Sequence, residues 1–476
     1  MEWVKEKMLV GGTWRKGVQS LAVYDPESGK KIAEVPAATK DDVQTAVFSA
    51  KNGAAINKKL PIHERSRILQ DTAAYINTHF EVFVHTIISE SSKTIKEARK
   101  EVHRCIETLR LSAEESKRLQ GETIPFSQIP GHENRVGYVC RDPIGVVAAI
   151  TPFNDPLNLV AHKIGPAIAA GNSVIVKPST LTPLSTIRLA EAFLHAGLPA
   201  EILSVITGKG SEICDVLVQH EDVRFVSFTG GYETGRSILE KAGVKKTAME
   251  LGSNSPTIIL ADSNMEEAVA ATVAGAFGVA GQNCISVQRI YVIDSIYSEF
   301  IKQYTKETKK LKIGSKIDEN TDIGPMISEK EASRVENWIL EAESAGAELC
   351  CGGKRVGAFL EPTVLTNVPD CALISKEEVF GPVVIINPVS SFNQAIELAN
   401  DSRFGLQAGL FTSSIDLAFQ AIERLDFGAV MINDSSDVRI DSMPFGGVKH
   451  SGIGREGVRY SIEAMTERKV VAFRLN

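Results

Sequence analysis

The spacing of apolar residues changes in character well before the middle of the chain. Residues 63–120 are rich in Glu, Lys, Arg, Ala and Leu, and apolar residues recur at helical spacing between Val102 and Ala113. This stretch is predicted to form long amphipathic helices. From about Val136 onward, short apolar runs alternate with helical runs, which is typical of strands joined by crossover helices.

Two successive α/β units are predicted from this alternation. The first has expected strands at residues 146–150, 173–176, 203–206 and 225–228, and expected helices at 164–170, 184–195 and 213–219. The second has expected strands at 257–260, 289–293 and 383–386, and expected helices at 266–279 and 297–310. Uninterrupted apolar strands indicate a parallel, doubly wound sheet, so we place a domain boundary near residue 252. The apolar tail, residues 469–475, predicts a strand that pairs with another element or subunit.

The composition is that of a large globular protein. The chain has 476 residues, too many for one hydrophobic core, which predicts two or three domains. A net charge of −7 without a basic block argues against nucleic acid as a partner. The N-terminal sequence Met-Glu-Trp-Val-Lys-Glu-Lys does not resemble a signal peptide, and no apolar run reaches the roughly 20 residues that span a bilayer. We therefore expect a cytoplasmic protein without a membrane partner.

The cysteines and histidines do not form a metal-binding pattern. The seven cysteines are odd in number, and their spacing fits neither a disulfide framework nor paired zinc ligands. The nine histidines include no HExxH motif, so no metal is expected. A cysteine considered alone is more often a small buried apolar residue than a nucleophile.

The residues that follow the predicted strands are candidates for a dinucleotide site, because ligands of doubly wound sheets bind at the carboxyl ends of the strands. Glycines there let a helix N-terminus approach a pyrophosphate closely, and a lysine after a buried strand can bind ribose hydroxyls. The candidates are Thr151, Pro152, Phe153, Lys177, Ser179, Gly208, Gly210, Thr229, Gly230, Gly231 and Gly235. A formal GxGxxG also occurs at residues 452–457, but it follows a glycine-rich loop instead of a strand, so we interpret it as loop geometry.

Three further residues form a complete set for acyl transfer. Cys284 lies in a small polar turn, Gly-Gln-Asn-Cys, after a predicted helix. Glu250 lies at the end of the first α/β unit, and Asn154 follows its first strand. A thiolate can attack a carbonyl, a carboxamide can stabilise the oxyanion, and a carboxylate can activate water.

Seven motifs in order over nearly the whole chain resemble the aldehyde dehydrogenase superfamily: Pro-Phe-Asn, Lys-Pro-Ser, Phe-Thr-Gly, Glu-Leu-Gly, Gly-Gln-Asn-Cys, Glu-Glu-Val-Phe-Gly-Pro and Pro-Phe-Gly-Gly-Val-Lys. The resemblance implies an α/β fold with a Rossmann-like cofactor domain, residues 1–120 and 141–252. It also implies an α/β catalytic domain, residues 253–455, and a small β bridging arm, residues 121–140 and 456–476. Members use such an arm to oligomerise, so a homodimer or homotetramer is expected.

The resemblance also implies roles for individual residues. Cys284 is the expected nucleophile, Asn154 and the Cys284 backbone N–H form the oxyanion hole, and Glu250 is the general base. The implied cofactor is NAD or NADP, and NADP should be tolerated because Thr180 replaces the Glu typical of strictly NAD-dependent members. The resemblance places Lys177 at the adenosine ribose, Gly230, Gly231 and Gly235 beside the pyrophosphate, and Glu378 at the nicotinamide ribose with Phe380 beside it. Ser179, Phe228 and Leu251 are further implied cofactor contacts.

The expected substrate is a small aldehyde that carries an anionic group. In the branch that includes lactaldehyde, non-phosphorylating glyceraldehyde-3-phosphate and phosphonoacetaldehyde dehydrogenases, arginines hold such a group, and this sequence resembles that branch. The corresponding polar residues are Arg104, Asp155, Asn158, His162 and Arg439.

Several alternatives remain open from the sequence. Arg104 could be a solvated helix residue, and Arg439 could pair with Asp437 or Asp441. The enzyme could oxidise succinate semialdehyde or a broad range of aldehydes, or it could transfer the acyl group to CoA. It could also be a non-catalytic NAD(P)-binding protein, although such a protein would be expected to lose Cys284, Asn154 or Glu250.

Overall fold

The computed structural model describes residues 7–476, so the expectation drawn from the N-terminal sequence concerns residues almost entirely outside this range. The helices are α1 (Lys40–Lys59), α2 (Ile62–Thr78), α3 (Phe80–Glu90), α4 (Ile95–Ser116), α5 (Asn158–Ala169), α6 (Leu184–His195), α7 (Gly210–Gln219), α8 (Tyr232–Ala242), α9 (Met265–Phe277), α10 (Asp294–Thr308), α11 (Glu329–Ser344), α12 (Leu373–Lys376), α13 (Phe392–Asn400), α14 (Ile415–Arg424) and α15 (Val458–Ala464).

The strands are β1 (Met8–Val10), β2 (Thr13–Arg15), β3 (Gln19–Tyr24), β4 (Lys31–Ala37), β5 (Glu122–Ile124), β6 (Arg135–Pro143), β7 (Val146–Ile150), β8 (Ser173–Lys177), β9 (Leu203–Val205), β10 (Val223–Thr229), β11 (Lys246–Glu250), β12 (Pro256–Ile259), β13 (Arg289–Ile293), β14 (Glu348–Cys351), β15 (Arg355–Val356), β16 (Phe359–Leu360), β17 (Thr363–Thr366), β18 (Val383–Val389), β19 (Gln407–Phe411), β20 (Ala429–Ile432), β21 (Gly452–Ile453) and β22 (Thr466–Arg474).

The first large sheet has the order β2-β1-β9-β8-β7-β10-β11-β21, with its five central strands parallel. Alternate residues of β7 enter two different cores, since Val147 and Ala149 pack on one face and Val146 and Ala148 on the other. Burial on both faces explains why these strands are apolar throughout. The carboxyl ends of β7, β8, β10 and β11 meet along one edge of the sheet.

The second large sheet has the order β14-β17-β18-β13-β12-β19-β20, parallel except for β14. It also carries an apolar core on each face. The chain passes from the first sheet to the second between Glu250 and Pro256. Each sheet therefore organises its own unit, and the turn that contains Cys284 belongs to the second.

A separate three-stranded antiparallel sheet, in the order β22-β6-β5, contains the C-terminal strand. The tail therefore pairs with another element of the same chain. The segment that precedes β22 differs from the expected bridging arm, because helix α15 packs into the first core through Val458 and Ile462. The sheet takes only Thr466–Arg474 from the tail and extends through Pro143 in β6, so these bounds differ from those expected.

The predicted amphipathic helices are confirmed as α2, α3 and α4, and most predicted strands lie within two residues of their expected bounds. The helix predicted at 164–170 begins earlier, at Asn158, because α5 is buried on all sides and lacks an amphipathic pattern. The helix predicted at 266–279 ends at Phe277, since Val279 and Ala280 adopt positive φ. None of the helices within residues 7–476 combines the length and apolar character needed to cross a membrane.

Candidate active site

A cavity of about 800 Å³ lies where the strand ends of the first sheet face the second unit. Most of the sequence-predicted cofactor residues line it, together with Asn154, Glu250 and Cys284. The cofactor candidates in its wall are Thr151, Pro152, Phe153, Lys177, Ser179, Thr180, Gly210, Phe228, Thr229, Gly230, Gly231, Leu251, Glu378 and Phe380. Gly208 and Gly235 lie outside this lining. The structure thus brings the predicted nucleophile, base and amide together with the predicted cofactor residues.

The glycines after β10 allow helix α8 to start close to the sheet. A Cβ atom on Gly235 would lie 2.4 Å from Leu251, and one on Gly230 would lie 2.6 Å from the Phe228 ring. Gly231 precedes the first turn of α8, and no side chain caps that turn. Its backbone N–H groups are therefore available for a phosphate, which is the fit that a dinucleotide needs.

Lys177 ends strand β8 inside the cavity. Its burial lowers the pKa of the ammonium group, and within residues 7–476 it forms no ion pair with a carboxylate. A Cβ atom on Gly210 would lie 4.0 Å from its Nζ atom, so Gly210 leaves room beside the ammonium group. Thr180 lines the same part of the cavity. A buried cation without a protein partner fits a polar or anionic ligand.

Glu378 belongs to the second unit and also lines the cavity. It accepts a hydrogen bond from the Ser253 backbone N–H at 2.9 Å, and burial raises its pKa to about 7. A Cβ atom on Gly252 would lie 2.5 Å from its Oε2 atom, which explains the glycine of the Glu-Leu-Gly motif. Phe380 adopts a positive φ of 48° and packs edge-to-face on Phe153, with 5.6 Å between the ring centroids.

The turn that carries Cys284 is held in place by close backbone packing at Gly281 and by hydrogen bonds of the Gln282 side chain. Gly281 has a φ of 69°, and a Cβ atom there would lie 2.1 Å from the Gly381 carbonyl oxygen. The buried side chain of Gln282 donates to Ser92 Oγ at 3.0 Å and accepts from the Ile327 backbone N–H at 2.8 Å. The glycine and the glutamine of the Gly-Gln-Asn-Cys motif are therefore structural supports for the cysteine.

Cys284 and Glu250 are both held in uncharged form by burial. Burial raises the pKa of the Cys284 thiol, and the nearby Arg439 guanidinium opposes this effect. Glu250 is 2% exposed, and neither carboxyl oxygen has a hydrogen-bond partner within the described residues. Burial and the Glu456 carboxylate raise the pKa of Glu250 well above its usual range. Once ionised, an unpartnered buried carboxylate in the same cavity as a thiol can accept a proton from water.

The five sequence-predicted substrate residues do not line the cavity. Arg104, Asn158 and His162 contact Asp441, and Asp155 contacts Arg104. The Asp441 carboxylate accepts hydrogen bonds from Arg104 Nη2 at 2.7 Å, from His162 Nε2 at 2.8 Å and from Asn158 Nδ2 at 3.2 Å. Asp155 accepts a hydrogen bond from Arg104 Nη1 at 3.2 Å. The alternative that Arg104 is a solvated helix residue is therefore wrong, because two carboxylates offset its charge.

Lys93 joins this network, and sequence reasoning missed it. The Lys93 ammonium is buried and forms ion pairs with Asp155 and, at 2.8 Å, with Glu101. Glu101 also accepts from the backbone N–H groups of Leu157 and Asn158 at the start of α5. The sequence carries a weak signal, because Lys93 lies directly before the capping box of α4 and Glu101 lies on the buried face of that helix. No known motif marks either residue.

Arg439 has a different environment from Arg104. Its guanidinium lies over the Phe445 ring, 3.8 Å from the centroid, and donates to Glu456 at 3.2 Å. The alternative that Arg439 pairs with Asp437 or Asp441 is therefore wrong. Phe445 packs in a small apolar cluster against Cys284, which places Arg439 close to the thiol. The Arg439 Nε atom is buried and has no hydrogen-bond partner among the described residues.

Comparisons with known proteins extend this description. The model of the aldehyde dehydrogenase family matches residues 14–471. The chain belongs to this family. It is 46% identical to the 3-sulfolactaldehyde dehydrogenase of Priestia megaterium, over 98% of each chain. It is also 46% identical to aspartate-semialdehyde dehydrogenase 1 of Pseudomonas canavaninivorans, over 95% of this chain and 96% of that protein.

Two solved structures resemble this aldehyde dehydrogenase closely. The NADP-dependent glyceraldehyde-3-phosphate dehydrogenase from Bacillus halodurans, complexed with NADP, has a TM-score of 0.97 and 38% identity, with coverage of 99% of this chain and 100% of that chain. Aldehyde dehydrogenase 21 from Physcomitrella patens, in complex with the product succinate, has a TM-score of 0.96 and 38% identity, with coverage of 100% and 99%. The predicted family, fold class and enzyme class, an NAD(P)-dependent aldehyde dehydrogenase, are confirmed.

The sequence raised two other possible ligand sites in the dehydrogenase, a metal site and the formal GxGxxG at residues 452–457. Within residues 7–476, no three His, Cys, Asp or Glu side chains are arranged to hold a metal ion. The glycines at 452–457 pack against backbone, since a Cβ atom on Gly452 would lie 2.3 Å from the Met249 carbonyl oxygen. Gly452 pairs with Glu250 across β21 and β11, so this motif supports the strand that carries Glu250.

Proposed function

We propose that this dehydrogenase oxidises a short aldehyde with an anionic group to the corresponding carboxylate, with Cys284 as the nucleophile. The observation that carries the proposal is the single cavity that Cys284, Glu250 and Asn154 share with the residues suited to a dinucleotide. These three side chains supply the attacking thiolate, the base and the oxyanion donor of an acyl transfer. All three are present, so a non-catalytic binding protein is not favoured.

The chemistry of the chain begins when the Cys284 thiol releases its proton to solvent water and its sulfur adds to the aldehyde carbon. The Asn154 amide and the Cys284 backbone N–H stabilise the alkoxide of the thiohemiacetal. NAD(P), when bound, supplies the hydride acceptor that leaves a thioester on Cys284. The ionised Glu250 carboxylate then removes a proton from water, and the resulting hydroxide attacks the thioester carbonyl. The carbon–sulfur bond breaks, the Cys284 sulfur takes the proton from Glu250, and the acid product releases its own proton to solvent as the carboxylate.

The two-step chemistry can be tested with Cys284→Ser and Glu250→Gln. Cys284→Ser should lower NAD(P)H production by at least about a thousandfold, because a serine hydroxyl has a far higher pKa than a thiol and is a much weaker nucleophile. Glu250→Gln should produce about one equivalent of NAD(P)H in a burst and then stall as the thioester, which intact-protein mass spectrometry detects as an acyl adduct. Cys371→Ser, at an exposed cysteine, is the matched control with unchanged turnover. Full turnover of Cys284→Ser would contradict the proposed role.

Addition of CoA to the unmodified enzyme separates hydrolysis of the thioester from acyl transfer to CoA. Enzymes that release the acyl group to CoA need no water-activating base, whereas this chain keeps a buried carboxyl beside the thiol. Added CoA should therefore leave the steady-state rate of the unmodified enzyme unchanged. A CoA-dependent rate with formation of acyl-CoA would favour the alternative.

Arg439 supports an anionic group on the substrate. It lies close to Cys284, and its buried Nε–H has no acceptor in the described chain. Glu456 is shared between Arg439 and Lys163, so two cations face one ionised carboxylate. Arg104, the other expected anion-binding residue, is offset by Asp155 and Asp441. We therefore propose Arg439 as the main contact for a sulfonate, phosphonate, phosphate or carboxylate.

The relatives are consistent with this class of substrate. The names 3-sulfolactaldehyde, aspartate semialdehyde and glyceraldehyde 3-phosphate, and the product succinate, all denote compounds with an anionic group. A panel of these aldehydes, with lactaldehyde, phosphonoacetaldehyde and succinate semialdehyde, should rank the anionic substrates above propanal in kcat/KM. Equal values for propanal and the anionic aldehydes would favour a broad-range enzyme.

We also propose that NADP is accepted alongside NAD, and that the chain forms a homodimer or homotetramer. Thr180 adds no negative charge beside Lys177, so a 2′-phosphate meets no repulsion there.

Helix α14 exposes Ile415, Phe419 and Ile422 at helical spacing, next to the edge strand β20. Such an apolar face supports contact with a second copy of the chain. Light scattering coupled to size exclusion measures the mass, and a monomeric mass would contradict this proposal.

A further inference from the structure

The loop after β20 that contains Ser435, Ser436 and Asp437 contacts the residues immediately before and after Cys284. Ser436 Oγ donates to the Ile285 carbonyl oxygen at 2.9 Å, and Asp437 accepts a hydrogen bond from the Asn283 side-chain amide. The loop itself is fixed by Gln407, whose Nε2 donates to the Ser436 carbonyl oxygen at 2.6 Å. Adjacent residues of a braced loop therefore hold the residues immediately before and after the nucleophile.

The packing behind Asp437 leaves it little freedom. A Cβ atom on Gly275 of helix α9 would lie 2.7 Å from Ser435 Oγ and 3.1 Å from Asp437 Cβ. The loop thus lies directly against the helix that leads to the Cys284 turn. The backbone that carries Asp437 is therefore held in place, because the loop is hydrogen-bonded through Ser436 and packed against α9.

Two contacts set the orientation of the Asn283 amide: the Asp437 carboxylate accepts from its NH2 group, and the Ile285 backbone N–H donates to its Oδ1 atom at 3.5 Å. An ionised carboxylate only accepts hydrogen bonds, so it selects the amide NH2 group and turns the Oδ1 atom away. The Oδ1 atom accepts from the Cys284 thiol, with 3.7 Å between oxygen and sulfur. A carbonyl oxygen in this position stabilises the thiol and disfavours the thiolate, since it cannot donate to a negatively charged sulfur.

We propose that Asp437 is a positioning residue that acts through Asn283 to set the balance between thiol and thiolate at Cys284. The proposal rests on the proposed role of Cys284 as nucleophile. When Asp437 is ionised, the amide presents its oxygen to the sulfur and the resting enzyme keeps a thiol. When Asp437 is protonated, it can donate to the Asn283 oxygen, and the amide NH2 can turn to stabilise the thiolate.

The surroundings of Asp437 allow this change near neutral pH. Burial raises its pKa to about 7, against the attraction of Lys100 and Arg104 on helix α4. Glu97 on the same helix and Asp155, in the segment between β7 and α5, act in the same direction as burial. Thiolate formation at Cys284 is therefore linked to proton uptake by Asp437, which spreads the titration of the thiol over a wider pH range.

The test is the rate of Cys284 alkylation by iodoacetamide, followed on the Cys284 peptide by mass spectrometry. Asp437→Asn leaves a side chain that can donate or accept, so it no longer dictates the orientation of Asn283. This variant should react about fivefold faster at neutral pH, the effect of losing one unfavourable hydrogen-bond arrangement. Asn283→Ala should react at a similar rate, and the double variant should react no faster than Asn283→Ala alone.

The matched control is Asp434→Asn, which removes the same charge from the same loop. Among residues 7–476, the Asp434 side chain accepts a hydrogen bond from the Ser435 backbone N–H and none from Asn283. This variant should react at the wild-type rate. The wild-type rate should also rise less steeply than that of Asp437→Asn across about pH 6–8. An unchanged rate in Asp437→Asn, or additive effects in the double variant, would overturn the proposal. Alkylation reports on the thiol directly, so it remains informative even if Cys284→Ser were to retain turnover.

Discussion

The two ends of the active site differ in how their charged groups are used. At the proposed cofactor end, which comprises the cavity wall around Lys177 and the start of α8, Lys177 is buried and forms no ion pair with the described residues, and no described side chain caps the first turn of α8. At the substrate end, Arg104 contacts two carboxylates, and Asp441 accepts hydrogen bonds from three side chains. The first region keeps its polar groups available, whereas the second has mostly satisfied them internally.

This difference shows that the polarity of a residue does not identify its partner. An unpaired buried cation is costly to the fold, so its retention at Lys177 indicates a ligand that offsets the cost. A paired buried cation such as Arg104 is explained by the protein itself. At the substrate end, Arg439 differs from Arg104 because one of its buried donors has no acceptor in the described chain. Three variants can break or sharpen this comparison.

Asp441→Asn should have the largest effect on stability. Removing one partner from a buried charge network costs about 3 kcal/mol, so the free energy of unfolding by urea should fall by about that amount. Although burial favours the protonated acid, the hydrogen bonds from His162 and Arg104 hold the pKa of Asp441 well below its usual range. Its stabilising contribution is therefore present above about pH 4 and lost as the pH falls, so wild type and variant should converge in acid.

The control for Asp441→Asn is Asp426→Asn. Asp426 pairs with Lys449 at 3.4 Å but is 61% exposed, so the same loss of charge should cost less than about 1 kcal/mol. If both variants lost the same stability, the substrate-end network would be no more than a set of surface ion pairs, and the contrast with the cofactor end would fail.

Arg439→Ala should have the next largest effect, and it should appear in substrate selectivity. Loss of a charge-assisted hydrogen bond worth about 2 kcal/mol predicts a roughly thirtyfold decrease in kcat/KM for an anionic aldehyde relative to propanal. Both aldehydes experience any change at Cys284 or Glu456, so their ratio isolates the contact with the anion. Steady-state kinetics with 3-sulfolactaldehyde and propanal provide the measurement.

Arg104→Ala is the comparison for Arg439→Ala. Because Asp155 and Asp441 already offset its charge, this variant should lose stability while the ratio of the two kcat/KM values changes little. A selective loss of the anionic aldehyde in Arg104→Ala, with none in Arg439→Ala, would reverse the proposed assignment of the anion-binding residue.

The cofactor end could be predicted from the sequence because it depends on local order along the chain. Thr151, Lys177 and Gly230 each follow an apolar strand, and the parallel sheet brings such positions to one edge. Cys284 and Glu250 were predicted from motifs whose glycines reflect close backbone packing, as at Gly281 and Gly252. The order of strands and of motif glycines can be recognised in the sequence, so the sequence could indicate which of these residues share the cavity.

The substrate end could not be predicted in the same way, since its contacts join residues far apart in the chain. Asp441 and Arg104 are separated by 337 positions, and Lys93 and Asp155 by 62. No periodicity relates such residues, so the sequence indicated polar side chains without their partners. The start of α5 was missed for a related reason, because a helix that is buried on all sides has no polar face to mark its length.

Thr180→Glu should have the smallest effect of the three variants, confined to the choice of cofactor. A carboxylate placed beside Lys177 would repel a 2′-phosphate, so kcat/KM with NADP should fall about tenfold relative to NAD. Thr180→Gln has the same shape without the charge, and it should leave the ratio within about twofold. If Thr180→Glu left the ratio unchanged, the adenosine ribose would lie elsewhere in the cavity. The unpaired ammonium of Lys177 would then need another explanation, and the cofactor end would lose the feature that distinguishes it from the substrate end.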